Sequence, residues 1–239
     1  MIGGGLALAA MLAAASVHAD FATGRKAYDA FEFEKARKEF AGAAANGNAE
    51  AAFLLAGMAA GGVGGPKDER EAFKWYLQAA EAGNVAAQAE AARRYSTAQG
   101  VAKNDERSLY WARIAADKGD ARSQYIMGIR HVEAIGVKRY LVEAVLWLGR
   151  SSEQGYAPAQ IALADMLARA AENTKGNTAA SYRVEAMKWY VLAATQGSKE
   201  AEPKMLPVKA RMSADELSEA ERRTRAWRAV KQGQPNAKP

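Results

Sequence analysis

An all-α chain, a solenoid of antiparallel helix pairs with a C-terminal capping helix, is the architecture predicted by three observations. Alanine makes up 57 of 239 residues and proline only six, a composition that favours helix. Trp75, Trp111 and Trp147 stand 36 residues apart, and Trp189 follows after 42. Gly47, Gly83, Gly119 and Gly155 keep the same 36-residue step, and Gly197 again follows after 42. A fixed period of this length marks a chain built from repeated supersecondary units.

The segments EAFKWYLQAAEAG, SLYWARIAADKG, EAVLWLGRSSEQG and EAMKWYVLAATQG align on this period, and KARKEFAGAAANG is an earlier copy with Glu39 at the tryptophan position. Ala36, Ala72, Ser108, Ala144 and Ala186 fall three residues before that position; paired small residues such as Ala79-Ala80 and Ala115-Ala116 fall four and five after it. Such spacing puts them on one helical face, with the tryptophans in the repeat core. The glycine that follows is the left-handed residue expected just past a helix end. A second helix is expected to start four residues after each glycine. Its apolar positions are Ala51/Leu55, Ala87/Ala91, Ser123/Met127 and Ala159/Leu163, each pair followed by a small residue, Ala56, Ala92, Gly128 or Ala164, that allows close helix approach. Gly100-Val101, Gly136-Val137 and the run Gly61–Gly65 mark the turns between helices.

The net charge of +6 sits mostly in residues 203–239, which hold nine Lys/Arg and four Asp/Glu. Ser213 and Glu216 form a capping-box pattern. Acidic residues precede basic ones along the helix that follows, matching its dipole. This segment is expected to be a terminal cap, and no basic-aromatic nucleic-acid motif accompanies it. Residues 232–239 are expected to form a flexible tail.

Residues 1–19 contain no charged side chain; an apolar run, Leu6–Val17, is followed by Val17-His18-Ala19. The pattern is that of an export signal cleaved after Ala19. The run is shorter than a bilayer span, so no membrane span is expected after cleavage, with an uncleaved anchor as the alternative. A periplasmic or secreted location follows. There is no cysteine, which removes disulfides, thiolate metal sites and cysteine nucleophiles.

On these residues the chain resembles the Sel-one-like repeat family, relatives of tetratricopeptide repeats. The resemblance places repeats at 48–83, 84–119, 120–155 and 156–197, with a degenerate first repeat at 20–47 and a partial repeat plus cap at 198–231. In the fourth repeat, Glu172–Ser181 replaces the Gly-Val turn and holds the six extra residues. A last pair opens at Ala201 and is expected to break at Pro203 and Pro207. The resemblance implies a non-enzymatic scaffold or adaptor of the bacterial envelope, a monomer without cofactor that binds a protein or peptide on the wall formed by the first helix of each pair. Mapped by that resemblance, the wall carries Phe53, Arg93, Arg122, Tyr125, Ile129, Glu133, Ile161, Asp165 and Arg169. The alternatives are a secreted β-lactam-binding or hydrolysing enzyme and a host-interacting secreted factor.

Catalytic patterns are sparse. His131 is the one histidine beyond the export signal, and no Gly-x-Ser-x-Gly elbow accompanies it; its alignment with Tyr95 makes it a packing residue. Gly61–Gly65 continues into Pro66-Lys67-Asp68, unlike a phosphate-binding loop. Asp68 is the expected N-cap of the next helix.

Overall fold

A computed structural model describes residues 21–231 and 233. The predicted export signal and all of the predicted tail except Gly233 lie outside the described residues. Every regular element among the described residues is an α-helix. The chain divides into two compact units, Met1–Asp120 and Ala121–Pro239.

The first unit holds α1 (21–29), α2 (Phe33–Ala45), α3 (Ala49–Gly61), α4 (Glu69–Glu81), α5 (Val85–Thr97) and α6 (Asp105–Asp117), with consecutive helices packed from α2 onward. The second holds α7 (Ala121–Glu133), α8 (Leu141–Glu153), α9 (Ala157–Glu172), α10 (Gly176–Thr195), α11 (Ala201–Lys209) and α12 (Ala214–Lys231). There α9 also adjoins α7 and α11, and α12 lies on α10.

The repeat glycines end their helices as the spacing predicts. Gly47, Gly83, Gly119, Gly155 and Gly197 all have φ between +86° and +98°, a region costly for residues with a Cβ. Each glycine N–H bonds the second of the paired small residues, and the next N–H bonds the first. Gly83 N donates to Ala80 O at 3.0 Å and Asn84 N to Ala79 O at 2.9 Å, a Schellman closure. Asn84 then turns round: its side chain accepts from Ala87 N at 2.8 Å and caps α5, as Asn48 caps α3. The next helix therefore opens two residues after the glycine in the first four copies of this junction, not four residues after it. Only α11 opens four after Gly197.

Close packing follows the small residues. Ala36, Ala72, Ser108, Ala144 and Ala186 are all buried, as are Ala56, Ala92 and Ala164. A Cβ on Gly128 would stand 2.6 Å from Leu148 Cγ, so α7 and α8 approach as they do only with glycine there. Trp111, Trp147 and Trp189 are buried core residues. Trp75 is half-buried; Phe73 and Tyr76 take the interior positions beside it.

Two expectations near the C-terminus change. The six extra residues of the fourth repeat form no long loop. They lengthen α9 and α10 to 16 and 20 residues, joined by 173–175, because Asn173 and Thr174 side chains bond the Arg169 and Ala170 carbonyls and end α9 without a left-handed residue. Pro203 and Pro207 do not break α11. Pro203 stands in the first turn, where no intrahelical N–H bond is lost, and the burial of Ala201 and Val208 holds the helix through Pro207. The capping box forms as predicted: Ser213 N donates to Glu216 Oε2 at 3.0 Å and Glu216 N to Ser213 Oγ at 3.2 Å. Arg183 of α10 donates to Glu216 at 2.5 Å, and Arg223 pairs with Glu185. Trp227 stacks edge-on to Trp189 at 6.3 Å. The basic segment is thus tied down as a cap.

Candidate partner-binding surface

In the first unit, Phe53 of α3 is half-buried and meets Tyr76 edge-to-face, with ring centroids 5.6 Å apart. Arg93 of α5 is also half-buried. Its guanidinium grips Glu90 through Nε at 2.9 Å and Nη2 at 2.5 Å, so its charge is already engaged. Its neighbour Arg94 went unnoticed in the sequence because a run of two arginines reads as solvated surface. Arg94 is only 1% exposed. It donates to Glu90 and to Glu69 of α4, both at 2.9 Å, and lies over the Tyr76 ring at 4.7 Å. Burial pushes the Glu90 carboxyl up, but hydrogen bonds and charge from Arg93 and Arg94 outweigh it and hold the carboxyl below its ordinary range. This buried charge cluster braces α4 against α5.

In the second unit, Arg122, Tyr125, Ile129 and Glu133 follow one face of α7. Arg122 and Glu133 are exposed; Tyr125 and Ile129 are half-buried against the core of the unit. Tyr125 meets Tyr156 edge-to-face at 5.5 Å. Burial raises the Tyr125 hydroxyl above its ordinary pKa, with Tyr156, Glu200 and Glu133 adding to the rise, so it stays a neutral donor. Ile161 of α9 is not on the surface: it is 5% exposed and packed in the core. The tetratricopeptide spacing misplaces it by pointing its side chain inward. Asp165 is half-buried and internally engaged, accepting from Tyr190 Oη at 2.6 Å and Lys204 Nζ at 2.7 Å. Burial and the Asp165 carboxylate both raise the Tyr190 hydroxyl. Arg169 is exposed. Tyr156 and Lys204 belong to this surface and were not foreseen, while Tyr190 lies in the core and reaches Asp165 through its hydroxyl. Lys204 lies in a segment whose prolines read as a helix break.

Beside Asp165 a cavity of about 180 Å³ opens between α9, α10 and α11 over Ala168, Ala171 and Val208, edged by Arg183, Lys204 and Arg211. Arg183 is held by Glu216, and Arg211 by Glu172 at 2.9 Å. His131 is half-exposed, with Nδ1 3.2 Å from the Lys138 carbonyl. Among the described residues no group of His, Asp and Glu side chains is arranged to hold a metal ion, and no helix is long and apolar enough to cross a membrane.

Antiparallel helix pairs in register, closed by repeat glycines and a terminal cap, define an α/α solenoid repeat protein. The Sel1 repeat profile matches residues 49–84, 85–120, 121–156 and 157–198, and the chain belongs to the Sel1 repeat family, whose fold commonly serves as a protein–protein interaction scaffold. Among solved structures, a Sel1 repeat protein from Oxalobacter formigenes is similar at 26% identity and a TM-score of 0.68, over 90% of this chain and 83% of that one. So is c5321, a protective antigen present in uropathogenic Escherichia coli strains and displaying an SLR fold. It is 23% identical with a TM-score of 0.71 over 90% of this chain. This chain spans about half, 49%, of that antigen's length. Comparison with curated protein sequences finds no match.

Proposed function

We propose that the protein is a non-enzymatic adaptor or assembly scaffold of the bacterial cell envelope, exported by its N-terminal segment, that binds a protein or peptide on the first helices of its repeats. The observation that carries this reading is the α7–α9 face of the second unit. Aromatic and aliphatic groups, Tyr125, Tyr156 and Ile129, lie half-buried there. Arg122 and Arg169 stand exposed on the same helices, and their guanidinium groups have no hydrogen-bond or ion-pair partner among the described residues. Aromatics and arginine are the usual anchors of protein interfaces, and uncommitted guanidinium groups suit acidic or backbone-carbonyl acceptors on a partner. In the first unit Arg93 contributes through shape, since its charge is taken by Glu90. A non-catalytic role fits the engagement of His131 with the Lys138 carbonyl.

The test is in-cell crosslinking and pull-down from the envelope fraction, comparing the native protein with an Arg122→Glu/Arg169→Glu variant. Both substitutions are exposed, so the unfolding midpoint should hold. A partner captured by the native chain and lost from the variant is the expected result. A partner retained by both overturns the assignment of this face. Recovery of the protein only from the cytoplasm overturns the envelope location, and turnover of a β-lactam by pure protein overturns the non-enzymatic reading.

A further inference from the structure

The outward face of α8 is apolar and uncovered. Leu141, Val142, Val145 and Leu146 are 47%, 60%, 40% and 50% exposed, and Tyr140 beside them is 55% exposed. The other repeats show that this is not the usual composition of that face. One repeat period earlier, Asp105, Glu106, Leu109 and Tyr110 stand in register with Leu141, Val142, Val145 and Leu146; two periods earlier the residues are Glu69, Arg70, Phe73 and Lys74, so both earlier copies carry charge where α8 has Leu141 and Val142. One repeat later, 42 residues on, Arg183, Val184, Met187, Lys188 and Val191 of α10 stand in register with Leu141, Val142, Val145, Leu146 and Gly149. There the cap helix α12 packs on α10, Val184 and Met187 are buried, and Arg183 is held by Glu216 of α12. Where this register is apolar in the second unit, a helix covers it on α10 and nothing described covers it on α8.

We infer that a second copy of this chain covers it, through antiparallel α8–α8 packing about a two-fold axis near Val145 and Leu146. Three features select a copy of itself. Gly149 has nothing within 4 Å of where a Cβ would stand, so it leaves room for Val142 of the partner and for close helix approach. The two ends of the face carry opposite charge: Lys138 and Arg139 before the helix, Glu153 at its last turn. A two-fold axis at Val145/Leu146 sets Lys138 and Arg139 of one copy beside Glu153 of the other, at both ends at once. The same operation brings Glu143 across from Arg150. Self-complementarity of this kind is what an isologous interface requires. Glu153 already accepts from Trp227 Nε1 at 2.7 Å, which leaves its second oxygen for the partner's cation. This inference does not rest on the adaptor reading, which concerns α7 and α9.

The experiment is sedimentation velocity over a concentration series, with Val145→Cys crosslinking in a chain that has no other cysteine. A reversible dimer is expected, and Val145→Cys should oxidise to a disulfide-linked dimer across the axis. The variant Val142→Arg/Leu146→Lys installs the residues that α4 carries in register, so it should keep its helicity and unfolding midpoint while remaining monomeric. Lys138→Glu/Arg139→Glu should weaken association by about tenfold or more through like-charge contact with Glu153, and adding Glu153→Lys should recover it. A native chain that stays monomeric throughout the concentration series overturns the inference. So does a dimer indifferent to Val142→Arg/Leu146→Lys, or crosslinks from Val145→Cys that reach only another protein.

Discussion

The α5–α6 and α9–α10 connections join equivalent helices by opposite means. After α5 the chain turns through Ala98 at φ +58° and Gly100 at φ +74°. Asn104 N then bonds back to Tyr95 O at 2.9 Å and the Asn104 side chain caps α6. The turn is docked on the start of α4: a Cβ on Gly100 would lie 1.9 Å from the Glu69 carbonyl oxygen, and buried Arg94 holds the Glu69 carboxylate. After α9 there is no docked turn. The helix simply runs longer, Asn173 and Thr174 absorb its last carbonyls, and α10 begins at once. In the register of Arg94 the fourth repeat has Met166. The short repeat thus depends on strained backbone and a buried cation, and the long repeat on added helix.

Breaking the docked turn should have the largest effect. Gly100→Ala adds a left-handed penalty of about 1–2 kcal/mol to a backbone overlap costing about 1–3 kcal/mol. A loss of about 3 kcal/mol in urea unfolding is expected. Gly176→Ala, at φ +61° with open space around it, should lose only the first part. Equal losses at the two sites would sink the distinction between the connections.

Arg94→Met, which copies the residue of the fourth repeat, should cost about 2 kcal/mol. That is less than the usual cost of orphaning a buried ion pair, because Arg93 still serves Glu90 and Lys67 still serves Glu69. The same unfolding series checks it, and a neutral result would show that the cation is dispensable to the turn.

Ala98→Gly and Ala134→Gly should each stabilise by about 0.5–1 kcal/mol, because alanine at φ +58° and +59° gives up the left-handed penalty, less the chain entropy of glycine. Asn173→Gly, at φ −97°, should give no such gain in thermal denaturation.

The smallest effect is acid sensitivity. The Glu69 carboxyl is held at about 2, against its ordinary 4.5, first by the hydrogen bond from Lys67 and then, against burial, by Arg94. A carboxyl depressed on folding contributes stability that is complete above its unfolded pKa and is lost as pH falls toward its folded value. Stability should therefore decline between about pH 4.5 and 2, more shallowly in Arg94→Met than in the native chain when both are followed by circular dichroism.

The repeat register, the helix-ending glycines, the caps at Asp68 and Ser213 and the small-residue seams were all readable in the sequence, because each is set by residues within a few positions along the chain. The fate of Glu172–Ser181 was not. The missing Gly-Val signal marked a departure, yet whether extra residues form a loop or more helix depends on the helices they pack against. Of the proposed surface, Phe53, Tyr125, Ile129, Arg122 and Arg169 fall where a partner can reach some part of them, while Asp165 is occupied by Tyr190 and Lys204 and Ile161 lies inside.

What local chemistry decides in this protein is period, helix ends and pairing. A 36-residue step, a left-handed glycine and an asparagine cap leave the backbone few other courses. What only the tertiary structure decides is exposure. Trp75 is half-buried while its repeats at 111, 147 and 189 are buried, Arg94 is interior and Arg93 is not, and the apolar face of α10 is covered while that of α8 is open. Burial is a property of the neighbour that packs against a residue, and in a repeat chain identical positions acquire different neighbours.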